Sequence, residues 1–260
     1  FNTHTGLWDW DVIKINKLNI TDNVVDFMAT KIKELPEQTQ ELFKVAACFG
    51  TIFNFNWLSQ ASNLSHELIS KELEILLSEG LIIELEENYK FAHDRIQQAI
   101  YSLIEEKERK NLHLNIGRLI LDQTNNQSLD ENIFEIVNHL NWGIEFIEGD
   151  KERLKFIELN LQASKKAKLT SAFIESFNYI QIATNFLPKN SWETHYKLSL
   201  TIFEEAAESS FLSGHFKEMD TYTGEILEHA KDLLSKIKPY EIRINAYKAE
   251  NQLKKALSTG

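Results

Sequence analysis

Glycine and proline are scarce in this sequence, at 9 and 3 of 260 residues. Such a low breaker content disfavours a many-stranded β fold and favours long helices joined by short turns. The single cysteine, Cys48, excludes an internal disulfide framework. It stands in the apolar run VAACF at 45–49 and is expected to be a buried, inert thiol in a reducing compartment. No apolar run approaches the length of a membrane span, and Phe1 opens the chain without the basic, apolar, small-residue pattern of a signal peptide. A cytoplasmic protein that does not engage a membrane is expected. A start on Phe1 in place of Met is further expected to mark an excised piece, with essential chemistry outside it.

Positive charge is also in short supply. Lys and Arg number 28 against 39 Asp and Glu, a net charge of −11, which opposes contact with nucleic acid phosphates unless a local basic face exists. Residues 36–105, the stretch most like a DNA-binding fold, carry four basic and eleven acidic residues, a difference of −7. Nucleic acid is therefore not an expected partner.

What is present is enough apolar residue, 43% of the chain, for one large or two modest cores. Residues 7–15, LWDWDVIKI, alternate as a short strand or extended segment does, and Thr21 or Asp22 can cap a helix running to Leu35. From Pro36, the positions Leu42, Phe43, Ala46, Ala47 and Phe49 share one helical face, with Gly50 as the expected stop. A short helix at 55–60 follows, then Ser65 as N-cap of a third helix ending at Gly80. The runs LIIEL at 81–85 and YKFA at 89–92 flank the polar turn Glu86-Glu87-Asn88 and predict a hairpin. Three helices followed by a hairpin predict a winged helix.

Two further helices, 94–104 and 106–121, lead to the clearest loop, QTNNQS at 123–128, where a domain boundary is expected. Beyond it, helices are predicted to begin near Leu129, Lys151, Ser171, Ser191, Phe216 and Pro239. Phe173 after Ser171-Ala172 is echoed 43 residues later by Phe216 after Gly214-His215, a period compatible with a solenoid of helical pairs. The expected fold is mainly α: a winged-helix module with one β-hairpin, then an α-solenoid of tetratricopeptide-like helical pairs.

Motifs for chemistry are few. No stretch fits G-x-x-x-x-G-K-[ST], so a self-sufficient ATPase is not expected. His66-Glu67 resembles the opening of a zinc-protease helix, but Ser70 stands where the second His belongs; both are read as solvated helix residues, and no metal site is expected. The informative stretch is YKFAHDRIQQAIYSLI at 89–104, where a strand runs into His93-Asp94 and a helix starts at once. A helix start exposes unpaired N–H groups and a positive dipole end, so His93 could sense a phosphate from a neighbouring domain. Alternatively, Asp94 caps the helix and His93 only hydrogen-bonds the wing.

Several linked stretches carry a resemblance: WDWDVIKI at 8–15, ITDNVVDFM at 20–28, LPEQTQELFKVAACFG at 35–50, the 89–104 segment, EIVNHLNWG at 135–143 and LNLQASKKAKLTSAF at 159–173. Their order resembles the region after the ATPase core in large bacterial multidomain signalling proteins. Those proteins place a serine/threonine kinase-like domain, a STAND-class AAA-type ATPase and helical repeats ahead of sensor and histidine kinase domains of two-component systems. The resemblance implies that residues 1–35 are the tail of the ATPase lid region, 36–122 a winged helix with trailing helices, and 129–260 tetratricopeptide-like repeats. It implies partners in the upstream ATPase and downstream sensor and kinase domains, protein partners on the repeats, and ATP or ADP as cofactor of the parent protein alone. His93-Asp94 is similar to a His-Asp pair in the winged helix of related STAND ATPases, where the His reads the bound diphosphate. Here Phe91-Ala92 precede His93 where that motif often has Met, and Arg95 follows Asp94 where an aliphatic residue is common.

The function expected is thus a non-catalytic regulatory and scaffolding segment. A stand-alone peptide-binding repeat scaffold is the alternative. A DNA-binding regulator is disfavoured because the third helix carries Lys71 alone against Glu67, Glu72, Glu74 and Glu79.

Overall fold

The structure, a computed structural model, describes residues 24–62, 64–86, 88–125 and 128–260. The strand expected at 7–15 and the cap at Thr21 or Asp22 lie outside the described residues. The chain is mainly helical with one small sheet and divides into two compact units, Phe1–Leu119 and Ile120–Gly260. The division falls a few residues before the loop at 123–128.

In the first unit, α1 (Val24–Lys33) packs against α5 (Asp94–Leu103), and α2 (Glu37–Phe49) packs against α3 (Phe55–Ser62), α4 (His66–Ser78) and α5. Helix α2 forms because its apolar residues recur at helical spacing: Leu42, Phe43, Val45, Ala46 and Ala47 are all buried. Ser65 caps α4 as expected, its hydroxyl accepting from the Leu68 amide at 3.3 Å. The α4 helix ends in a left-handed Gly80 (φ +66°), after which the Leu81 amide donates back to the Leu76 carbonyl.

The sheet differs from the expected lone hairpin. Strands β2 (Ile82–Leu85) and β3 (Asn88–Phe91) pair antiparallel, and β1 (Ile52–Asn54) joins the other edge of β3, giving the order β1-β3-β2. Strand β1 is only three residues long and lies between two helices, too short for an alternation to be visible in sequence. Tertiary pairing made it: Phe53 is buried, with its ring 5.8 Å from Tyr89 and 5.5 Å from Phe91. Phe91 also stacks on Phe43 at 5.1 Å, tying the sheet to α2. In the same core the Thr39 hydroxyl donates to the buried carboxylate of Glu72, which satisfies that polar group. Cys48 is buried as expected, and burial pushes its thiol up to about 12.

Helix α6 (Glu106–Gln123) leads to the second unit, which contains α7 (Leu129–Trp142), α8 (Asp150–Leu169), α9 (Phe173–Phe186), α10 (Ser191–Thr194), α11 (Tyr196–Leu212), α12 (Phe216–His229), α13 (Ile237–Ala249) and α14 (Leu253–Thr259). All described strands lie before Asp94. One predicted helix is corrected. The one at Ser191 breaks at His195, and buried Trp192 on the short α10 stacks between Phe203 (5.2 Å) and His229 (4.7 Å). The helix expected near Pro239 is present from Ile237, and proline is tolerated in its first turn because its missing N–H has no partner to lose there.

The 43-residue echo is a recurring turn. Ser171 and Gly214, at matching positions, have φ of +63° and +80°, and Asn251 repeats the conformation at +59°. In each, the next residue's amide reaches back five residues: Ala172 to Ala167 (2.9 Å), His215 to Ser210 (2.8 Å) and Gln252 to Tyr247 (2.7 Å). The same left-handed stop therefore builds three helical hairpins, α8/α9, α11/α12 and α13/α14. Helix α11 is shared by two cores. Ala206 faces Ile157, Leu161 and Ile180, while adjacent Ala207 faces Met219, Ile226 and Ile242. Its small residues allow close approach, and a buried polar seam runs alongside: Ser176 contacts Ser164 (3.0 Å) and Ser209 (2.8 Å), and Ser164 donates to Glu205 (3.3 Å). Lys168 closes the seam on Glu205 (2.8 Å) and Glu208 (2.9 Å).

Candidate functional site

His93 sits where β3 gives way to α5. The Phe91 amide donates to Thr51 and the Ala92 amide to Leu81, so the strand end is held on both sides. Phe91 and Ile96, both buried, then pin the chain before and after the corner. His93 itself is extended (φ −152°, ψ 143°) and is the N-cap of α5: its Nδ1 accepts from the Arg95 amide at 3.0 Å, and its carbonyl accepts from the Ile96 amide at 2.9 Å.

This corrects the alternative in which Asp94 caps the helix. Asp94 is the first helical residue, exposed in the first turn, where its carboxylate interacts favourably with the helix dipole. The physical reason is positional. The chain leaves the extended region only after His93, so the capping geometry falls to its ring. With Nδ1 accepting a hydrogen bond, the neutral ring carries its proton on Nε2. His93 is exposed. A cavity of about 340 Å³ lies in the same unit, lined by Met28, Lys31, Leu35, Glu79, Leu81 and Ile96. His93 and Asp94 are not among its lining residues.

Among the described residues, no group of three or more His, Cys, Asp or Glu is placed to hold a metal ion. No helix among them is long and apolar enough to cross a membrane. His66 and Glu67 are exposed, and the His66 ring meets the edge of Phe55 at 5.4 Å.

The sequence reading missed a groove of about 600 Å³ between α7 and α9. Asn138 and Trp142 line one wall; Glu175, Asn178, Tyr179 and Ile182 line the other. The walls are fastened by Phe134 stacking on Tyr179 (5.7 Å) and by the Tyr179 hydroxyl donating to Asn138 Oδ1 (2.9 Å). Desolvation by burial pushes the Tyr179 phenol pKa upward. Asn141, which also lines the groove, exchanges two carboxamide hydrogen bonds of 2.9 Å with Asn160. The signal available in sequence was charge: α7 and α9 together carry Asp130, Glu131, Glu135 and Glu175 and no Lys or Arg.

No protein-family model matches the chain. It is 32% identical, over 293 aligned positions and 89% of its length, to hybrid signal transduction histidine kinase G of Dictyostelium discoideum, of which it spans 8%. Among solved structures, a STAND protein with a tetratricopeptide repeat sensor from Pyrococcus horikoshii aligns over 91% of this chain and 39% of its own. Its TM-score is 0.40 and its sequence identity 12%, a likeness too loose to assign the fold.

Proposed function

We propose that this chain is a non-catalytic regulatory and scaffolding segment of a multidomain signalling ATPase. In this reading the first unit is a winged helix in which His93 senses nucleotide state, and the second recruits or positions protein partners. The kinship with a stretch of a hybrid histidine kinase supports the signalling context. The order helix, strand, two helices, two strands supports the winged helix, and the repeated turn supports tetratricopeptide-like pairs. The parent would bind ATP or ADP upstream and act on sensor or kinase domains downstream, in a bacterial or other setting.

The observation that carries the sensor role is the division of labour in the His93 ring. Nδ1 is occupied by the helix cap, which fixes the ring and leaves Nε2–H as a donor suited to a phosphate oxygen. Aligned beside a helix N-terminus, such a donor would favour a diphosphate held by the neighbouring ATPase and stabilise the closed state.

The cap and the sensor can be separated. His93→Asn keeps a good N-cap acceptor but removes Nε2. In the intact protein it should leave thermal stability nearly unchanged and speed ADP release about tenfold to a hundredfold, the loss of a charge-assisted hydrogen bond of roughly 1.5 to 3 kcal/mol. Asp94→Ala serves as the control for damage at the helix start. Unchanged ADP release in His93→Asn, measured by stopped-flow with a fluorescent ADP, would remove the sensor role.

A further inference from the structure

We propose that the groove between α7 and α9 takes a short extended peptide bearing a basic side chain. This rests on the reading of residues 120–260 as a protein-binding scaffold and names the chemistry of one of its partners.

The groove is built of polar groups with unused capacity. Tyr179 fixes the Asn138 carboxamide through its oxygen, leaving the NH₂ to donate elsewhere. Asn178 lines the opposite wall and has no hydrogen-bond partner among the described residues; Glu175, one helical turn before it, has no ion-pair partner among them. Two carboxamides lining one channel match the alternating N–H and C=O groups of an extended backbone, each able to donate and accept. Trp142, 45% exposed, also lines the groove.

Charge selects the side chain. Four carboxylates and no Lys or Arg stand on the two wall helices. The one imidazole on them, His139, is held neutral by burial, its pKa lowered to about 4. The cation contributed from α8, Lys166, is already engaged by Asp130 and lies 5.3 Å from the Phe134 ring. An arginine or lysine entering the groove therefore meets an uncompensated carboxylate at Glu175, the feature that favours a cation. An acidic segment would meet repulsion. The exposed walls at Asn138, Glu175 and Asn178 suit a chain lying along an open channel better than a small molecule that must be enclosed.

The test uses the full ¹⁵N-labelled 260-residue chain. It is titrated with acetyl-Ala-Ala-Arg-Ala-Ala-amide, with the same peptide carrying Glu at the centre, and with L-argininamide. The Arg peptide should shift the carboxamide signals of Asn138 and Asn178 and the indole signal of Trp142, and the Glu peptide should not. Glu175→Gln and Asn178→Ala should each weaken Arg-peptide binding about threefold to tenfold. Equal response to the Glu peptide, L-argininamide binding as well as the peptide, or no groove response to the Arg peptide would each overturn the proposal. A pool of random capped nonapeptides separates this failure from that of the scaffold reading. Pool binding elsewhere on residues 120–260 removes the groove alone, whereas no binding anywhere removes both.

Discussion

The two nitrogens of one ring separate, at residue scale, a cap that the structure shows from a phosphate donor that we propose. In His93 the backbone-facing nitrogen caps α5, so substitution by Ala removes the cap and the proposed donor together, and only a replacement such as Asn separates them. His139 shows the opposite case, a ring used by the fold through its neutrality. Burial lowers its pKa from 6.5 to about 4, so the unfolded chain takes up a proton that the folded chain refuses. Stability from this residue is fully present above pH 6.5 and is lost as the pH falls towards 4. Urea unfolding should show about 2 kcal/mol less stability at pH 5 than at pH 7 from this group. The His139→Gln variant should flatten that part of the profile. An unchanged slope in the variant would assign the acid sensitivity to other groups.

The recurring turn is the main device at the scale of elements. The same left-handed position is filled by Ser171, Gly214 and Asn251, residues for which that conformation differs in energy. Glycine adopts it without strain, asparagine tolerates it, and serine is held there by the hairpin around it. A Cβ added at Gly214 would meet nothing within 4 Å, so a substitution there reports backbone strain alone. Gly214→Ala should destabilise the chain by about 1 to 2 kcal/mol, and Ser171→Gly should stabilise it by up to about 1 kcal/mol. Opposite signs in urea melts would confirm that the turns are equivalent. Destabilisation by both would show that the Ser171 side chain matters more than its dihedral.

At the scale of the whole molecule, net charge sets what the chain can hold. With −11 overall and no phosphate-cradling loop, the 260-residue chain should neither hydrolyse ATP nor bind it at micromolar concentration, by calorimetry. Micromolar binding would overturn the proposal that nucleotide chemistry belongs to other domains of a larger protein.

Local composition determined much of this. Scarce glycine and proline, the faces of α2 and α4, the Ser65 cap, the hairpin around Glu86 and the Phe173 and Phe216 echo are all short-range patterns. Each is written within a few residues, because helix periodicity, capping and turn chemistry act over one or two turns. The candidate site was legible to the same depth, since a strand running directly into His93-Asp94 exposes a helix start. Which of the two residues caps it was not legible, because that depends on where the backbone leaves the extended region. Tertiary structure alone decided the rest. It made β1, whose three residues become a strand only beside β3, and broke the helix at His195 so that Trp192 could enter the space between Phe203 and His229. It also brought Asn138 and Asn178, 40 residues apart in sequence, to the lining of one groove. Pairing, aromatic packing and grooves depend on contacts between distant segments, and no window along the chain contains both partners.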